Sequence, residues 1–347
     1  QGPAGFTGAT GAQGIQGEQG RVGPMGEAGD PAVDPARVLW VATSGDNTYP
    51  LLSDALAAIS GPSDDEESVD DPAASGVATL PEATADNPYV IKIAPGTYEE
   101  METVALRSFV DVEGSGQGVT TITCACGSYE TDLAAATVSA FNVIHAEIRH
   151  LTIANTTGSA KTTYSTGVAT FHPGDSVPMK NVTATQQGDS FSMSNVTATA
   201  TGGDFMSGVT NVSSSPLMNN VTATATGINS AGVVNVSSSP LMNNVTAIAI
   251  GDNSAGVYNL DSSSPTIRNS YLSGDTAGVS NDWSSATIHN SEIRGDYGII
   301  LDEISTAEVA GTLLDGDVFV DGFSGLLSCV GVYNKYFVSH PCNNYEV

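Results

Sequence analysis

Positive charge is what this chain has least of. Its 347 residues carry 10 Lys plus Arg against 38 Asp plus Glu, a formal net charge of −28. Such a field repels nucleic acid and anionic membranes, so neither is expected as a partner. It fits a secreted or cell-surface protein in salty or calcium-containing surroundings, where cations screen the self-repulsion. Aromatic residues make up only 6%. No apolar run approaches the ~20 residues of a membrane-spanning helix, so membrane insertion is not expected. Cysteines number four, at 124, 126, 329 and 342, and no second Cys/His cluster has the spacing of a zinc site. Gln1 follows no initiator Met and no signal peptide. The opening therefore reads as a mature or partial product with more of the same sequence ahead of it, and it says nothing about compartment.

What stands at the start is glycine at every third place: Gly2, Gly5, Gly8, Gly11, Gly14, Gly17, Gly20, Gly23, Gly26 and Gly29. A flexible linker has no need of register. Three polyproline II chains sharing an axis do, because only glycine fits at the crowded centre. Residues 1–31 thus resemble a collagen triple helix, which predicts a homotrimer. With only Pro3, Pro24 and Pro31 in the segment, it is poorly pre-set for that conformation, and the rest of the chain is expected to help hold three copies together. The triplets would extend roughly 90 Å at ~3.1 Å per residue.

Residues 32–37 read as a linker. "VLWVAT" reads as a strand and "YPLLSDALAAIS", near 49–60, as a short amphipathic helix that caps one end of the body. Residues 61–88 are acidic and lack a hydrophobic period, and are expected to form a mobile surface insertion that solvates its carboxylates. From Pro88 onward, β-branched runs alternate with Gly and Pro turns. "IKIAPGTYEE" and "VDVEGSGQGVTTIT" are similar to the entry rungs of the pectin-lyase-like parallel β-helix, most like its pectin methylesterase branch, over residues 38–125. That resemblance implies a right-handed parallel β-helix.

The second half points to a solenoid without any resemblance. "SSSPLMNNVTATATGINSAGVVNV" begins at Ser213 and returns at Ser237, with looser copies from Ser262 and Ser284. A period of ~24 residues made of short strands and turns is that of one solenoid coil. The expected fold is therefore mainly β, a parallel β-helix over 38–328 behind a collagen-like stalk, closed by a C-terminal cap over 329–347. Asn195, Asn220, Asn244, Asn269 and Asn290 recur at equivalent places, which predicts a buried ladder of stacked amides. The chain has seven N-x-[ST] matches, at Asn155, Asn181, Asn195, Asn211, Asn220, Asn235 and Asn244. A buried ladder accounts for most of them better than glycosylation does. Cys329 and Cys342 flank "CVGVYNKYFVSHPC" and are disulfide candidates that would pin the cap. Cys124 and Cys126 would point the same way from one strand and pair poorly, which leaves free buried thiols as the alternative.

The resemblance also implies what an enzyme of this kind needs. The esterase branch uses a carboxylate nucleophile, a second carboxylate as acid/base, an arginine holding the first, and glutamines at an oxyanion site. Asp204 in "GGDFMSG" is the one faint match, yet the repeat places it at a turn. The Gly-Arg-Pro-Trp and Gln-Asp-Thr motifs are absent, as are the lyase motifs Trp-x-Asp-His and Arg-x-Pro-x-x-Arg. The polygalacturonase motifs Asn-Thr-Asp and Gly-His-Gly are missing too. Outside the stalk and linker only Arg107, Arg149, Arg268 and Arg294 remain to hold an acidic sugar chain. His145 and His150 would face opposite sides of one strand. Asp315, Asp317 and Asp321, near glycines, are candidates for calcium, the one cofactor the sequence suggests, although tight acidic turns explain them as well. The sequence thus predicts no catalysis. It predicts an extracellular structural protein, a trimeric stalked β-helix serving as surface fibre or filament subunit, with head-to-tail polymerisation as an option. A glycan-binding adhesin or virus tail fibre, and a polysaccharide lyase or esterase, are the rival readings.

Overall fold

The computed structural model describes residues 34–46, 48–59, 80–126, 136–141, 143–156, 164–171, 191–302, 304–321, 325–336 and 338, with backbone alone at 35, 141, 164–171 and 321. The Gly-X-Y segment, residues 61–79 and Cys342 lie outside this set.

Alternation at period two makes the strands, and interruptions of that period bend them. Along Phe191–Thr201, Met193, Val196, Ala198 and Ala200 turn inward while Thr197 and Thr199 turn outward. The alternation slips at Asn195, whose φ is 53°. There one strand turns a corner and continues on the next face. Repeated along the chain, such corners wind the 24 strands of the described residues into a parallel β-solenoid of the right-handed type. Neighbouring strands stack in register with the preceding coil. On the first face, Val38–Val41 pairs with Tyr89–Ile93 and that strand with Val110–Glu113. On the second, Gly96–Glu100 pairs with Thr120–Cys124. On the third, Phe205–Val212, Ala231–Val236, Ala255–Leu260 and Ala277–Asp282 stack one after another.

Because register is kept, like stacks on like inside. Met193, Met218 and Met242 continue into Ile267 and Ile288 on the first face. Val209, Val233, Val257 and Val279 line the third. All of these residues are fully buried. Burying each such side chain contributes roughly 1.5–3 kcal/mol. Ala198, Ala223 and Ala247 fill the second face, where small residues let the wall come close to the opposite one. Gly232 needs the same closeness, since a Cβ there would sit 2.6 Å from the Ile248 nitrogen.

The amide ladders differ from the expectation. Asn195, Asn220, Asn244, Asn269 and Asn290 all have φ between 48° and 54° and occupy the corner between the first and second faces. Asparagine tolerates this left-handed conformation better than most residues. Asn220 donates to Asn195 at 2.5 Å and Asn244 to Asn220 at 3.0 Å. Asn269 donates instead to Asn243, at 3.0 Å. From Asn220 onward these corner residues are exposed. The buried ladder is another set. Asn211 donates to Asn235 at 2.9 Å, Asn235 to Asn259 at 2.8 Å and Asn259 to Asn281 at 2.8 Å, and Asn281 ends the series on the Thr306 carbonyl. All four amides are inaccessible to solvent. Serine supplies a parallel series. The backbone N–H groups of Ser214, Ser238, Ser263 and Ser284 donate to the hydroxyls of Ser238, Ser263, Ser284 and Ser305.

Several boundaries move. The period is not constant: the corner residues Asn220 and Asn244 are 24 apart, whereas the serine steps from Ser263 onward are 21 apart. Residues 80–88 belong to the body rather than to the acidic insertion. Leu80 bridges Ile59, and the Tyr89 hydroxyl donates to the Pro81 carbonyl. At the other end Cys329 lies within the strand Leu326–Val330, and the coil continues to Tyr333, which bridges Leu313. Residues 329–333 are therefore solenoid and not cap. The helix Leu52–Ala58 has no side-chain cap from Leu51. The buried Glu100 carboxylate supplies one from the second face, accepting from the Leu52 and Ser53 N–H groups and the Ser53 hydroxyl, where the helix dipole favours negative charge.

Cys124 and Cys126 form a disulfide, contrary to the expectation of poor pairing. The same-side argument needs a strand running through both. The strand Thr120–Cys124 ends at the first cysteine, so the chain is free to turn the second one back.

Candidate functional site

The densest polar cluster among the described residues lies on the outer side of the first face, in the entry coils. Trp40, Lys92, Glu113 and Arg149 occupy one row across successive strands. Asp111 and Glu147 occupy the neighbouring row, two residues back in each strand. Period two puts all of them outside while Ile91, Val112 and Ile148 pack beneath. The Arg149 guanidinium reaches three carboxylates: Glu147 at 2.5 Å, Glu113 at 3.1 Å and Asp111 at 3.4 Å. Lys92 holds the other oxygen of Glu113 at 3.0 Å. Asp111 also accepts from the Glu147 N–H at 2.9 Å.

Two of the three carboxylates on Arg149 are driven apart in acidity. Burial pushes Asp111 up, helped by the Glu147 charge and opposed by the Glu147 N–H and Arg149. Burial acts on Glu113 in the same direction, but the hydrogen bonds and charges of Lys92 and Arg149 outweigh it and hold Glu113 below its ordinary value. Arg149 is itself desolvated, and its carboxylates more than compensate, leaving it firmly protonated. Beside the cluster is a shallow depression of about 330 Å³ lined by Trp40, Lys92, Glu113, Ser115 and His150. The "VEGSG" turn shapes it. A Cβ on Gly114 would lie 2.5 Å from the His150 carbonyl oxygen, so glycine is what lets the two coils close. Ser115 is fixed by donating to the Ile93 carbonyl.

Chemically, a carboxyl pushed up beside one held down is a pattern that acid and base chemistry uses. Here, however, Arg149 and Lys92 are spent on the carboxylates, which makes an ion-paired brace across three coils. The sequence signal for this cluster was the outward parity of "KI", "VDVE" and "AEIRH". It became legible only once register placed these segments side by side.

The other expected sites stay apart. Asp204 is exposed at a turn ahead of Phe205–Val212 and is not part of the cluster. Asp315, Asp317 and Asp321 lie along a single strand, Leu313–Asp321, with Asp315 paired to Lys335 at 3.0 Å and the Asp321 backbone in register with that of Asp302. Among the described residues no three His, Cys, Asp or Glu side chains converge to hold a metal ion. His145 and His150 both adopt positive φ, the first just before the strand Ala146–Thr156 and the second at the corner within it, and His145 stacks on Phe109. Arg107 donates to the Ile59 carbonyl, and Arg294 pairs with Glu292. Cys329 is disulfide-bonded, while Cys342 and the ten stalk glycines lie outside the described residues. No described helix is long and apolar enough to cross a membrane.

No protein-family model matches the chain, and no curated protein matches it in sequence. Among solved structures it is similar to a pectin methylesterase in complex with a hexasaccharide, with a TM-score of 0.50 at 13% identity over 88% of this chain and 92% of that one. A pectin methylesterase from Erwinia chrysanthemi has a TM-score of 0.49 at 13% identity, covering 90% and 93%. The likeness is one of fold, a parallel β-helix.

Proposed function

We propose that this chain is an extracellular, non-catalytic structural subunit, three copies of which are joined by the Gly-X-Y segment and present their solenoids as the body of a fibre or appendage. The observation that carries this reading is where the polar groups are spent. Amides and hydroxyls run from coil to coil as buried series, and the charged groups of the entry coils bind one another. Such a body resists being pulled apart along its axis. Secretion accords with the acidic surface and with a disulfide, which persists in oxidising surroundings. Analytical ultracentrifugation of intact protein tests the reading. A three-subunit mass with a collagen-type circular dichroism band that melts cooperatively is expected; a monomer without that band overturns it.

A second reading rests on the Asp111–Glu113–Glu147–Arg149 cluster, three carboxylates with an arginine on an outer face. In this reading the entry coils are a polysaccharide-esterase site, with Asp111 as the proton donor and Glu113 as the ionised carboxylate. Release of methanol from methyl-esterified pectin by the full chain, abolished in Asp111→Asn and in Glu113→Gln, is what it requires. No release from the folded protein removes it.

A further inference from the structure

The third face carries a depression of about 330 Å³ in the middle coils, remote in the chain from the entry-coil cluster, lined among others by Phe205, Ser230, Asn253, Tyr258, Thr276 and Ile300. Its walls combine three features. Phe205 is 41% exposed and offers an aromatic surface at the rim. Asn253 donates to Asn229 at 3.1 Å, putting a pair of fixed amides beside it. Ser230 is 2% exposed, and its hydroxyl has no hydrogen-bond partner, although the buried hydroxyls of Ser238, Ser263 and Ser284 in the serine series each have one. An orphaned buried hydroxyl calls for an explanation, and an unfilled partner position is one.

We infer that this depression is a binding site for a neutral sugar ring of a glycan chain. A pyranose has one apolar C–H face and a rim of hydroxyls, each both donor and acceptor. Phe205 and the Tyr258 ring offer a surface for the first. The Asn229–Asn253 pair, the Thr276 and Tyr258 hydroxyls and Ser230 offer partners for the second. Charge selects against acidic sugars. Burial above all, and then the charges of Asp282, Asp302 and Asp261, push the Tyr258 phenol up to about 12. The phenol therefore remains an O–H donor at any physiological pH, while a uronate brought to the same place meets carboxylates. Such a site is independent of the structural role proposed above, since a monomer could bind in the same way. In a trimer three such sites would add by avidity.

Saturation-transfer NMR on the full chain, using methyl β-glucopyranoside, methyl β-galactopyranoside and N-acetylglucosamine as probes, with galacturonate as the charged control, tests this. At least one neutral probe is expected to bind and galacturonate is not. Tyr258→Phe keeps the ring and removes the hydroxyl, and it should weaken binding about tenfold, a loss of about 1.4 kcal/mol. Phe205→Ala should weaken it at least as much, and Ser230→Ala measurably but less. Phe205→Leu, which keeps apolar bulk, separates loss of stacking from loss of fold, as does unchanged far-ultraviolet circular dichroism. Absence of transfer to all three neutral probes overturns the inference. So does binding indifferent to both Tyr258→Phe and Phe205→Ala, or galacturonate binding as well as the neutral sugars.

Discussion

The middle coils, from Phe191 to Leu260, and the last coils, from Asp261 to Tyr333, solve the same closure problem differently. In the middle coils the corner between the first two faces is asparagine, Asn195, Asn220 and Asn244, and the third face carries the buried amides Asn211, Asn235 and Asn259. In the last coils the corner is still asparagine at Asn269 and Asn290 and then passes to glycine, Gly311 at φ 60° and Gly331 at φ 63°. The position that continues Asn281 is taken by Leu301, then Val320. Side-chain amides give way to a permissive backbone at the corner and to apolar packing inside, while the serine series runs on at the shorter 21-residue step. Ladders are thus one of two interchangeable devices, and the backbone register is what both serve.

Asn235 is where this contrast is most exposed to test. Asn235→Ala strips the acceptor from Asn211 and the donor from Asn259, two fully buried amides, and should cost about 2–4 kcal/mol in urea unfolding. A cost below about 0.5 kcal/mol would make the ladder ornamental, since that is the range of an ordinary surface substitution. The corners come next. Asn244→Ala forces a side chain without αL tolerance into φ 54° and should cost about 1–2 kcal/mol, whereas Gly331→Asn, where an added Cβ has only the Gly311 nitrogen at 3.9 Å, should be near neutral. Equal effects would refute the equivalence of the two corners.

Glu113→Gln in the entry coils ranks third, at about 1 kcal/mol for partly exposed ion pairs. Because Glu113 is held below its ordinary value of 4.5, the folded state binds its proton less readily than the unfolded chain does. Its contribution is therefore complete above about pH 4.5 and lost as the pH falls further, and the gap between wild type and Glu113→Gln should close there. Asp111, pushed above 3.8, has the opposite sign: its contribution is present at low pH and lost as the pH rises through its raised value. The gap between wild type and Asp111→Asn should therefore run the other way. Smallest of all, Asp204→Asn at an exposed turn should change stability by less than about 0.5 kcal/mol.

Much of the architecture was legible in the sequence because a solenoid repeats its own pattern. The Ser213 and Ser237 copies revealed the 24-residue coil, and the alternation in "VTATAT" revealed the strand face. The misplaced ladder shows where such reading fails. Asn220 recurs as regularly as Asn211, and recurrence alone cannot tell inside from outside. Parity could have done so. Val209 and Asn211 share the inward phase, whereas Asn219 and Asn220 together separate two inward residues, Met218 and Val221, and that extra residue marks a bend. The Arg149 cluster and the Glu100 helix cap were not legible, since each joins segments tens of residues apart whose adjacency depends on coil length. The expectation that Cys124 and Cys126 pair poorly failed for a local reason, the strand ending too early for the geometry assumed.

The amide series do not all point the same way. The buried one hands its protons toward the C-terminal end, Asn211 to Asn235 and onward, while the solvent-facing ones, Asn244 to Asn220 and Asn253 to Asn229, hand theirs back. Two antiparallel rows of bond dipoles largely cancel each other's axial field. Neither tip of the body therefore gathers from these rows the partial charge that aligned peptide groups leave at the two ends of an α-helix.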